Sequence, residues 1–467
     1  MFALHPYSLI LIHNTVKDLI VAIDGCKHLS FLDLEGNTLG CEAAKHIGEA
    51  LKKHPEFQRA LFKDMFTGRM KTEIPPALID LSNGIMFANA HLTVLDLSDN
   101  ALGPNGMTGL VDLIKSPSCY SLQELRLMNC GLGITGAKML AKSLKQCYNQ
   151  SVEAGTPLEL RVFAAGRNRL ENEGAKALSA VFAEIQTLQE IIIPQNGIYH
   201  QGMSALAEAL KKNGNMQVIN FNDNTITAKG AEVLAEAFYT IEALREINLG
   251  DCLLKNEGGQ ILSDVLVDCH PELEVLNMSG NEIGPDVGIA IASAMINKDC
   301  LRELILDCNQ FGEEGVEAIQ QIMVECSKLD VLSIEDDEGE ADDDGEDDDD
   351  EHDDDDEEEQ EEEEEDDCVI TSTSGNLSQN NFETSLDNSI LLNSSVSEED
   401  PVVTFYNNKV PTLETFNQIK DEDKLKAFRE LFISSPEVDY LNLLVFAILK
   451  LSSIAEQSPE AKNIAQE

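Results

Sequence analysis

A short phrase of alternating apolar and polar positions recurs along the first two thirds of the chain. Apolar residues occupy its first, fourth and sixth positions, and an asparagine or cysteine closes it, as in LTVLDLSDN from Leu92 and LREINLGDC from Leu244. The closing residues are Asn37, Asn100, Cys130, Asn168, Asn196, Asn224, Cys252, Asn281 and Asn309. The last five steps between them are all 28 or 29 residues, and a fixed period of this size indicates a leucine-rich repeat.

Each repeat is predicted to hold one strand followed by one helix. Alternating leucines place one face of a short strand in a core, and the closing side chain bonds backbone groups where the strand ends. Segments such as GAKMLAKSL (136–144) and GMSALAEAL (202–210) carry apolar residues at helical spacing. Stacked units of this kind predict an α/β leucine-rich repeat solenoid, a ribonuclease-inhibitor-like horseshoe with a parallel sheet inside and helices outside.

Two steps between closing residues are irregular, and irregular loops of a solenoid often carry function. The gap between Asn37 and Asn100 is more than twice the regular step, which predicts a degenerate repeat with FQRALF (57–62) as its strand, followed by a long loop at 64–78. The lengthened step from Cys130 to Asn168 predicts a polar extension at 147–157.

Composition divides the chain into four parts. The repeats occupy residues 1–334, and the acidic tract that follows, 335–367, is predicted to be disordered because it has almost nothing apolar to bury. Residues 368–410 are rich in Ser, Thr and Asn and predict a flexible linker. Apolar residues return at helical spacing in 411–467, which predicts a small all-α segment.

The chain is strongly acidic. Of the 33 residues in the acidic tract, 28 are Asp or Glu, and without them the formal charge of −52 still leaves −24 on the remaining residues. Nucleic acid is therefore not expected as a partner, because it would be repelled. The tract either attracts basic partners or keeps the protein soluble, and the sequence leaves both interpretations open.

The cysteines and apolar segments indicate a soluble intracellular protein. The eleven cysteines contain no C-x-x-C pair, and Cys130 and Cys252 stand where asparagine is the usual alternative, so both are interpreted as buried structural thiols in a reducing compartment. The longest apolar run, around 441–449, is too short to cross a bilayer, and no signal-peptide pattern opens the sequence. No membrane insertion is expected.

The sequence contains no pattern typical of a catalytic or cofactor site. There is no Walker-type glycine–lysine loop, and GPNGMTG from Gly103 is too loose to cradle phosphate. The nine histidines are scattered, without the spacing of metal ligands. We therefore expect no metal and no cofactor of its own, and expect function on a surface of the array.

The residue before each closing Asn or Cys is expected to occupy the same place on one edge of the array, here called the strand-end rim. These residues are Gly36, Asp99, Asn129, Arg167, Gln195, Asp223, Asp251, Gly280 and Cys308. Arg69, in the loop after the degenerate strand, is expected to project from the same rim near Asp99 and Asn129. With Arg167 it would form a recognition stripe, although exposed polar residues on a rim are often only solvated.

Arg69 is the strongest single candidate. It lies in the stretch FTGRMKTE, directly after Gly68 and shortly before Pro75 and Pro76. Glycine and proline at these places predict a stiff, oriented loop.

Four features together resemble one family. They are FTGRMKTEIPPAL around Arg69, LMNCGLG from Leu127, GRNRLEN from Gly166 and the long acidic tract after the repeats. With these features, residues 1–367 resemble the Ran GTPase-activating proteins. Ribonuclease-inhibitor-like proteins share the repeat but lack the FTGR loop and the acidic tail.

The resemblance implies a regulator of another protein's GTP hydrolysis and not an enzyme in its own right. It implies binding to Ran in its GTP form, together with a Ran-binding protein, and support of nucleocytoplasmic transport. GTP and Mg would be held by Ran, and the hydrolytic site would belong to Ran. The implied location is the cytoplasm, including the cytoplasmic face of the nuclear envelope.

The resemblance also assigns roles to residues. Arg69 and Asn129 stand at the family's catalytic positions, and Lys71, Arg167 and Asp223 at further Ran-facing positions. An arginine finger would stabilise the transferring phosphoryl group directly. The family is thought instead to order Ran's own catalytic glutamine through the asparagine, while the arginine holds the interface.

The C-terminal part departs from the larger members of the family. The segment 411–467 resembles only the first helices of the domain by which vertebrate-type members dock at nuclear pores, so stable pore docking is not expected. Lys420 lies in Ile-Lys-Asp-Glu, which fits a SUMO attachment pattern, but it precedes those helices and is interpreted as a chance match.

Two other classes of function compete with this interpretation. An acidic leucine-rich repeat scaffold could bind basic proteins, but it would have no need of the FTGR loop. An inhibitor could cover an enzyme with the concave face of the sheet. The residues expected on that face lack the aromatic anchors of tight interfaces; they include Asp33, Asp96, Arg126, Asn220, Asn248 and Asn277.

Overall fold

The computed structural model describes residues 10–11, 16–337 and 339. One parallel sheet of eleven strands runs through the described residues in the order β13-β12-β11-β10-β9-β8-β7-β6-β5-β4-β2, and β1 pairs separately with β3. The strands are β1 Ile10–Leu11, β2 Phe31–Asp33, β3 Thr38–Leu39, β4 Arg59–Leu61, β5 Val94–Asp96, β6 Glu124–Arg126, β7 Val162–Ala164, β8 Glu190–Ile192, β9 Val218–Asn220, β10 Glu246–Asn248, β11 Val275–Asn277, β12 Glu303–Ile305 and β13 Leu332–Ser333.

Helices connect successive strands and cover the outer side of the sheet. They are α1 Lys17–Gly25, α2 Cys41–Leu51, α3 Ile74–Phe87, α4 Gly103–Thr108, α5 Val111–Lys115, α6 Gly133–Glu153, α7 Glu171–Ile185, α8 His200–Leu210, α9 Thr227–Phe238, α10 Lys255–Asp268, α11 Pro285–Ala294 and α12 Gly312–Glu325. Short 3₁₀ turns lie at Pro117–Cys119 and Leu329–Val331. The predicted α/β leucine-rich repeat solenoid is confirmed.

The core is continuous along the array. The middle residue of each strand from β4 to β12 is buried, for example Leu125 and Ile219, each 0% exposed, while most flanking strand residues face the open side. Phe163 and Phe182 join sheet and helix layers with ring centroids 4.9 Å apart. Because each repeat buries its apolar face only against its neighbours, the fold depends on stacking.

The closing asparagines form a ladder that ties the repeats together. Asn196 Nδ2 donates to the carbonyls of Ile193 (2.9 Å), Pro194 (3.1 Å) and Ala165 (3.1 Å). Its Oδ1 accepts from the backbone N–H of Asn168 (3.0 Å) in the preceding repeat. One side chain therefore satisfies backbone groups of two repeats at the point where their strands end.

Cysteine replaces asparagine in this ladder with its thiol as the donor. Cys130 Sγ donates to the carbonyls of Leu97 (3.2 Å) and Met128 (3.4 Å). Burial raises the pKa of the Cys130 and Cys252 thiols to about 12, so both stay protonated donors. Their interpretation as buried structural thiols is confirmed.

Two predicted loops are partly helical. The loop predicted at 64–78 ends early because α3 begins at Ile74; Pro75 and Pro76 fall in its first turn, where proline's missing N–H costs nothing. The polar extension predicted at 147–157 is helical as far as Glu153, since Cys147 and Ser151 continue the buried face of α6.

The repeat pattern extends past the predicted boundary at residue 334. Asp337 lies one regular repeat step after Asn309, and its carboxylate accepts from the backbone N–H groups of Phe311 and Gly312, both at 2.8 Å. The phrase LDVLSIEDD from Leu329 carries the signal, with Asp in the closing position. The acidic tract beyond residue 339, the linker 368–410, the segment 411–467 and Lys420 lie outside the described residues.

Candidate functional site

The strand-end rim has one backbone geometry throughout. All nine predicted rim residues have a left-handed conformation, with φ between 51° and 72°. The backbone N–H of each non-glycine member from Asp99 onward donates to a carbonyl of the next repeat, as in Asp99 to Met128 (2.7 Å) and Asn129 to Gly166 (2.8 Å). Rim side chains are therefore presented in register, one per strand and roughly 5 Å apart.

The degenerate repeat supplies a tenth rim position that the sequence analysis missed. Asp64 has φ 45°, and Met65 takes the place of the closing asparagine. Asn100 Oδ1 accepts from the backbone N–H groups of Met65 (2.9 Å) and Phe66 (3.1 Å), whereas in a regular repeat the second donor lies two residues after the closing residue. Counting one regular repeat step onward from Asn37 would have found Met65.

Arg69 does not project toward Asp99 and Asn129, so that expectation is wrong. Its Nη2 donates to Thr38 O at 2.8 Å, and its Nη1 lies 3.9 Å from Glu73 Oε1. The side chain is only 16% exposed and packs beside Gly40. The guanidinium thus turns back to the first repeat, where Thr38 O accepts its hydrogen bond, while Glu73 lies beside it at the end of the same loop.

One donor of Arg69 is unsatisfied. Its Nε is buried and has no hydrogen-bond partner among the described residues. Burying an unpaired donor lowers the stability of the folded chain. Folding alone therefore does not explain why an arginine occupies position 69. Arg69 therefore stays a functional candidate.

Hydrogen bonds, more than prolines, stiffen the Arg69 loop. The backbone N–H of Arg69 donates to Phe66 O (3.0 Å), and the N–H of Met70 donates to Glu73 Oε2 (2.9 Å). Phe66 also forms an antiparallel bridge with Thr38. Lys71 is exposed at the outer side of this loop, beside Met70 at 66% exposure, so an apolar and a basic side chain together face solvent.

Asn129 lies in a polar chain that crosses four repeats. Its Nδ2 donates to Asp99 Oδ1 at 3.0 Å. Lys63 Nζ lies 3.7 Å from Asp99 Oδ2 and 3.0 Å from Glu35 Oε1. Asn129 itself is exposed, so its amide is held by the array but open to a partner.

Arg167 and Asp223 are exposed farther along the strand-end rim, with Gln195 between them. Asp223 contributes to an open groove together with Arg169 and Asp251. The charge along the rim therefore changes from basic at Arg167 and Arg169 to acidic beyond Gln195. A partner that fits this edge must offer the opposite sequence of charges.

The described residues contain no group of three or more His, Cys, Asp or Glu side chains arranged to hold a metal ion. None of the helices in the part of the chain that the structure describes is long and apolar enough to span a bilayer. The exposed amide in the polar chain around Asn129 and the unpaired donor in the Arg69 loop make these two features the candidate site.

The fold and the strand-end rim define a leucine-rich repeat protein. The family model described as "Leucine Rich repeat" matches residues 88–111, 118–141, 212–235, 270–292 and 299–319. These matches follow the repeat spacing of the sheet strands.

Proteins similar in sequence define a narrower group within the leucine-rich repeat proteins. The chain is 55% identical over 314 residues to the Ran GTPase-activating protein of Drosophila melanogaster, and 57% identical over 328 residues to Ran GTPase-activating protein 1 of Xenopus laevis. It is 46% identical over 186 residues to Ran GTPase-activating protein 2 of Caenorhabditis elegans. Over these residues the chain is similar to proteins named Ran GTPase-activating proteins, which confirms the resemblance.

The matched region is large but partial. It covers 67% and 69% of this chain, and 52% and 57% of the Drosophila and Xenopus proteins. For the Caenorhabditis protein the shares are 39% of this chain and 19% of the relative. The chain thus spans little more than half the length of the first two relatives.

Proposed function

We propose that this protein stimulates the hydrolysis of GTP bound to Ran, and that the strand-end rim from Asp64 to Asp223 faces Ran. The observation that carries the proposal is the exposed Asn129 amide, fixed by Asp99 on a rim whose backbone is tied from repeat to repeat. The names of the relatives support the choice of Ran as the partner.

The hydrolytic site belongs to Ran, which holds GTP and Mg in this proposal. Asn129 orders Ran's catalytic glutamine, which in turn positions the attacking water. Holding reacting groups in the right geometry can lower a barrier by several kcal/mol without new covalent chemistry. Lys71, Arg167 and Asp223 make charged contacts that align the two proteins.

Arg69 holds the loop and the interface and is not an arginine finger. Its guanidinium is engaged by Thr38 O and lies near Glu73, with 16% of the side chain exposed. A finger must instead extend to a phosphoryl group. This geometry supports a role for Arg69 in presenting Met70 and Lys71 to Ran.

The proposed cellular location and process follow from Ran as the partner. The protein acts on Ran in its GTP form, assisted by a Ran-binding protein, in the cytoplasm and at the cytoplasmic face of the nuclear envelope. By keeping cytoplasmic Ran in the GDP form it supports nucleocytoplasmic transport. The alternative of a passive acidic scaffold is not favoured, because it does not account for the relatives or for the ordered Arg69 loop.

The test is hydrolysis of GTP on purified Ran with a trace amount of the full chain. We expect strong stimulation by the wild type and loss of roughly 100-fold in Arg69→Ala, because a misplaced loop misaligns the interface. Lys212→Ala is a control, since Lys212 is exposed just after the C-terminal end of α8, the end of that helix farther along the chain from the strand-end rim. A folded wild-type chain that leaves the rate unchanged would refute the proposal.

A further inference from the structure

The Asn129 amide has a defined orientation. Asp99 stands one repeat earlier on the strand-end rim, and its carboxylate receives the Asn129 Nδ2–H at 3.0 Å. An ionised carboxylate only accepts hydrogen bonds. The amide must therefore turn its nitrogen to Asp99, which leaves Oδ1 as the group offered to a partner.

Lys63 holds Asp99 in place from the other side. Its ammonium lies 3.7 Å from Asp99 Oδ2 and is anchored at 3.0 Å on Glu35 Oε1. The hydrogen bond to Glu35 raises the pKa of Lys63, with Asp99 contributing in the same direction. Lys63 thus stays charged and neutralises Asp99 without competing for the oxygen that binds Asn129.

The backbone fixes both ends of this arrangement. Asp99 and Asn129 have φ of 56° and 51°, and each N–H is bonded to the next repeat. Either side chain could turn only about its own χ angles. The hydrogen bond between them removes most of that freedom for Asn129 before any partner arrives, which lowers the entropy cost of binding.

We propose that Asp99, supported by Lys63, is a positioning residue that orients Asn129 so that its Oδ1 accepts a hydrogen bond from an N–H donor of the partner. This inference rests on the proposed function for the identity of the partner. If the donor is the carboxamide of Ran's glutamine, its Nε2 donates to Asn129. The glutamine Oε1 is then free to accept from the attacking water.

A first test observes the Asn129 side-chain amide directly by NMR and does not require Ran. The side-chain amide signals of Asn129 in the full chain are identified in a ¹⁵N spectrum by their absence in Asn129→Ala. In Asp99→Asn, an isosteric change that the left-handed backbone tolerates, we expect these signals to shift and to exchange faster with solvent. Unchanged signals would overturn the proposal.

A second test uses a double-mutant cycle on stimulated GTP hydrolysis. Asp99→Asn should lower the rate at saturation roughly tenfold, the worth of a hydrogen bond to a charged group, with little change in KM. In the Asn129→Ala background the same change should cost nothing more. An equal loss in both backgrounds would show that Asp99 acts on the partner directly and would overturn the inference.

Two further variants complete the design. Lys63→Arg should retain most of the saturated rate, whereas Lys63→Met should show part of the loss expected for Asp99→Asn. Asp264→Asn is the matched control, because Asp264 also accepts a hydrogen bond from a side-chain amide, that of Gln260 at 2.7 Å, but lies on α10 and not on the strand-end rim. If the wild type fails to stimulate Ran, the proposed function fails, and the amide spectrum alone decides the orientation of Asn129.

Discussion

At the scale of single residues, the strand-end rim shows how a structural requirement makes a binding surface. The closing Asn or Cys is buried and consumed by backbone hydrogen bonds, so it has no capacity left for a partner. The residue before it is forced into a left-handed conformation and faces solvent. Its identity is therefore free to serve recognition, which explains why Gly, Asp, Asn, Arg and Gln all occur there.

His270 gives a prediction at the same scale. It is 2% exposed, neither ring nitrogen has a hydrogen-bond partner among the described residues, and its ring meets Phe238 edge-on. Burial, aided by the nearby Lys298, lowers its pKa from 6.5 to about 4. Between pH 4 and pH 6.5, His270 is therefore protonated in the unfolded chain but not in the folded chain.

Stability should consequently fall as the pH is lowered from 6.5 to 4, by up to about 3 kcal/mol from this group alone. The measurement is urea unfolding as a function of pH, with His270→Asn beside the wild type. Asn213 occupies the equivalent place after its helix, so asparagine fits there. His270→Asn should lose this part of the pH dependence of the unfolding free energy. His91→Asn, at an exposed position, should retain it. Equal slopes in wild type and His270→Asn would refute the assignment.

At the scale of elements, the contact between α2 and α3 holds the Arg69 loop. The two helices approach so closely that a Cβ at Gly48 would overlap the carbonyl oxygen of Asp80, and a Cβ at Gly84 would overlap that of Gly48. Cys41 Sγ, at the start of α2, also donates to Glu73 O at 3.3 Å. The loop is thus clamped between the first repeat and α3.

Gly48→Ala should force α2 and α3 apart. Overpacking of this kind costs about 1 to 3 kcal/mol, and the displaced α3 should weaken activity on Ran more than its loss of stability explains. Gly25→Ala is the control, since nothing lies within 4 Å of a Cβ added there. Thermal unfolding and stimulated GTP hydrolysis would be measured on both. A Gly48→Ala variant as stable as the control would contradict the close approach.

Sequence patterns were sufficient for the order of strands and helices and for nine rim positions, because the closing residues of the regular repeats have a strict spacing, but Asp64 of the degenerate repeat was missed. They were insufficient for Arg69, whose direction depends on the carbonyl of Thr38 and on Glu73, contacts that no local pattern encodes. They also misjudged the helix start at Ile74, since paired prolines suit both a loop and a first helical turn. Asp337 was missed because an aspartate at the head of an acidic tract hides the closing position.

At the scale of the whole molecule, the acidic tract and the strand-end rim are expected to act on different steps. Long-range attraction accelerates encounters and is screened by salt, whereas positioning by Asn129 acts after contact. The tract is thus a candidate for steering toward a basic partner surface. The capping contacts of Asp337 require that any deletion begin after residue 339.

Deleting 340–367 should slow association with GTP-bound Ran about tenfold at low ionic strength and have little effect in high salt. Stopped-flow fluorescence measures this rate, and the melting temperature should be unchanged. A variant with Asn and Gln in place of the acidic residues keeps the length and should behave like the deletion. Equal association rates for all three chains at low salt would exclude steering.

In the proposed function, Asn129 acts on Ran's hydrolysis of GTP after the two proteins have bound. The most direct measurement is the single-turnover rate of GTP hydrolysis on Ran as the concentration of wild type, Asn129→Ala or Arg69→Ala is raised to saturation. We expect Asn129→Ala to reach half-saturation near the wild-type concentration but a maximal rate lower by roughly 100-fold. Arg69→Ala should mainly shift half-saturation to higher concentration. A maximal rate equal to wild type in Asn129→Ala would show that Asn129 does not act on hydrolysis after binding.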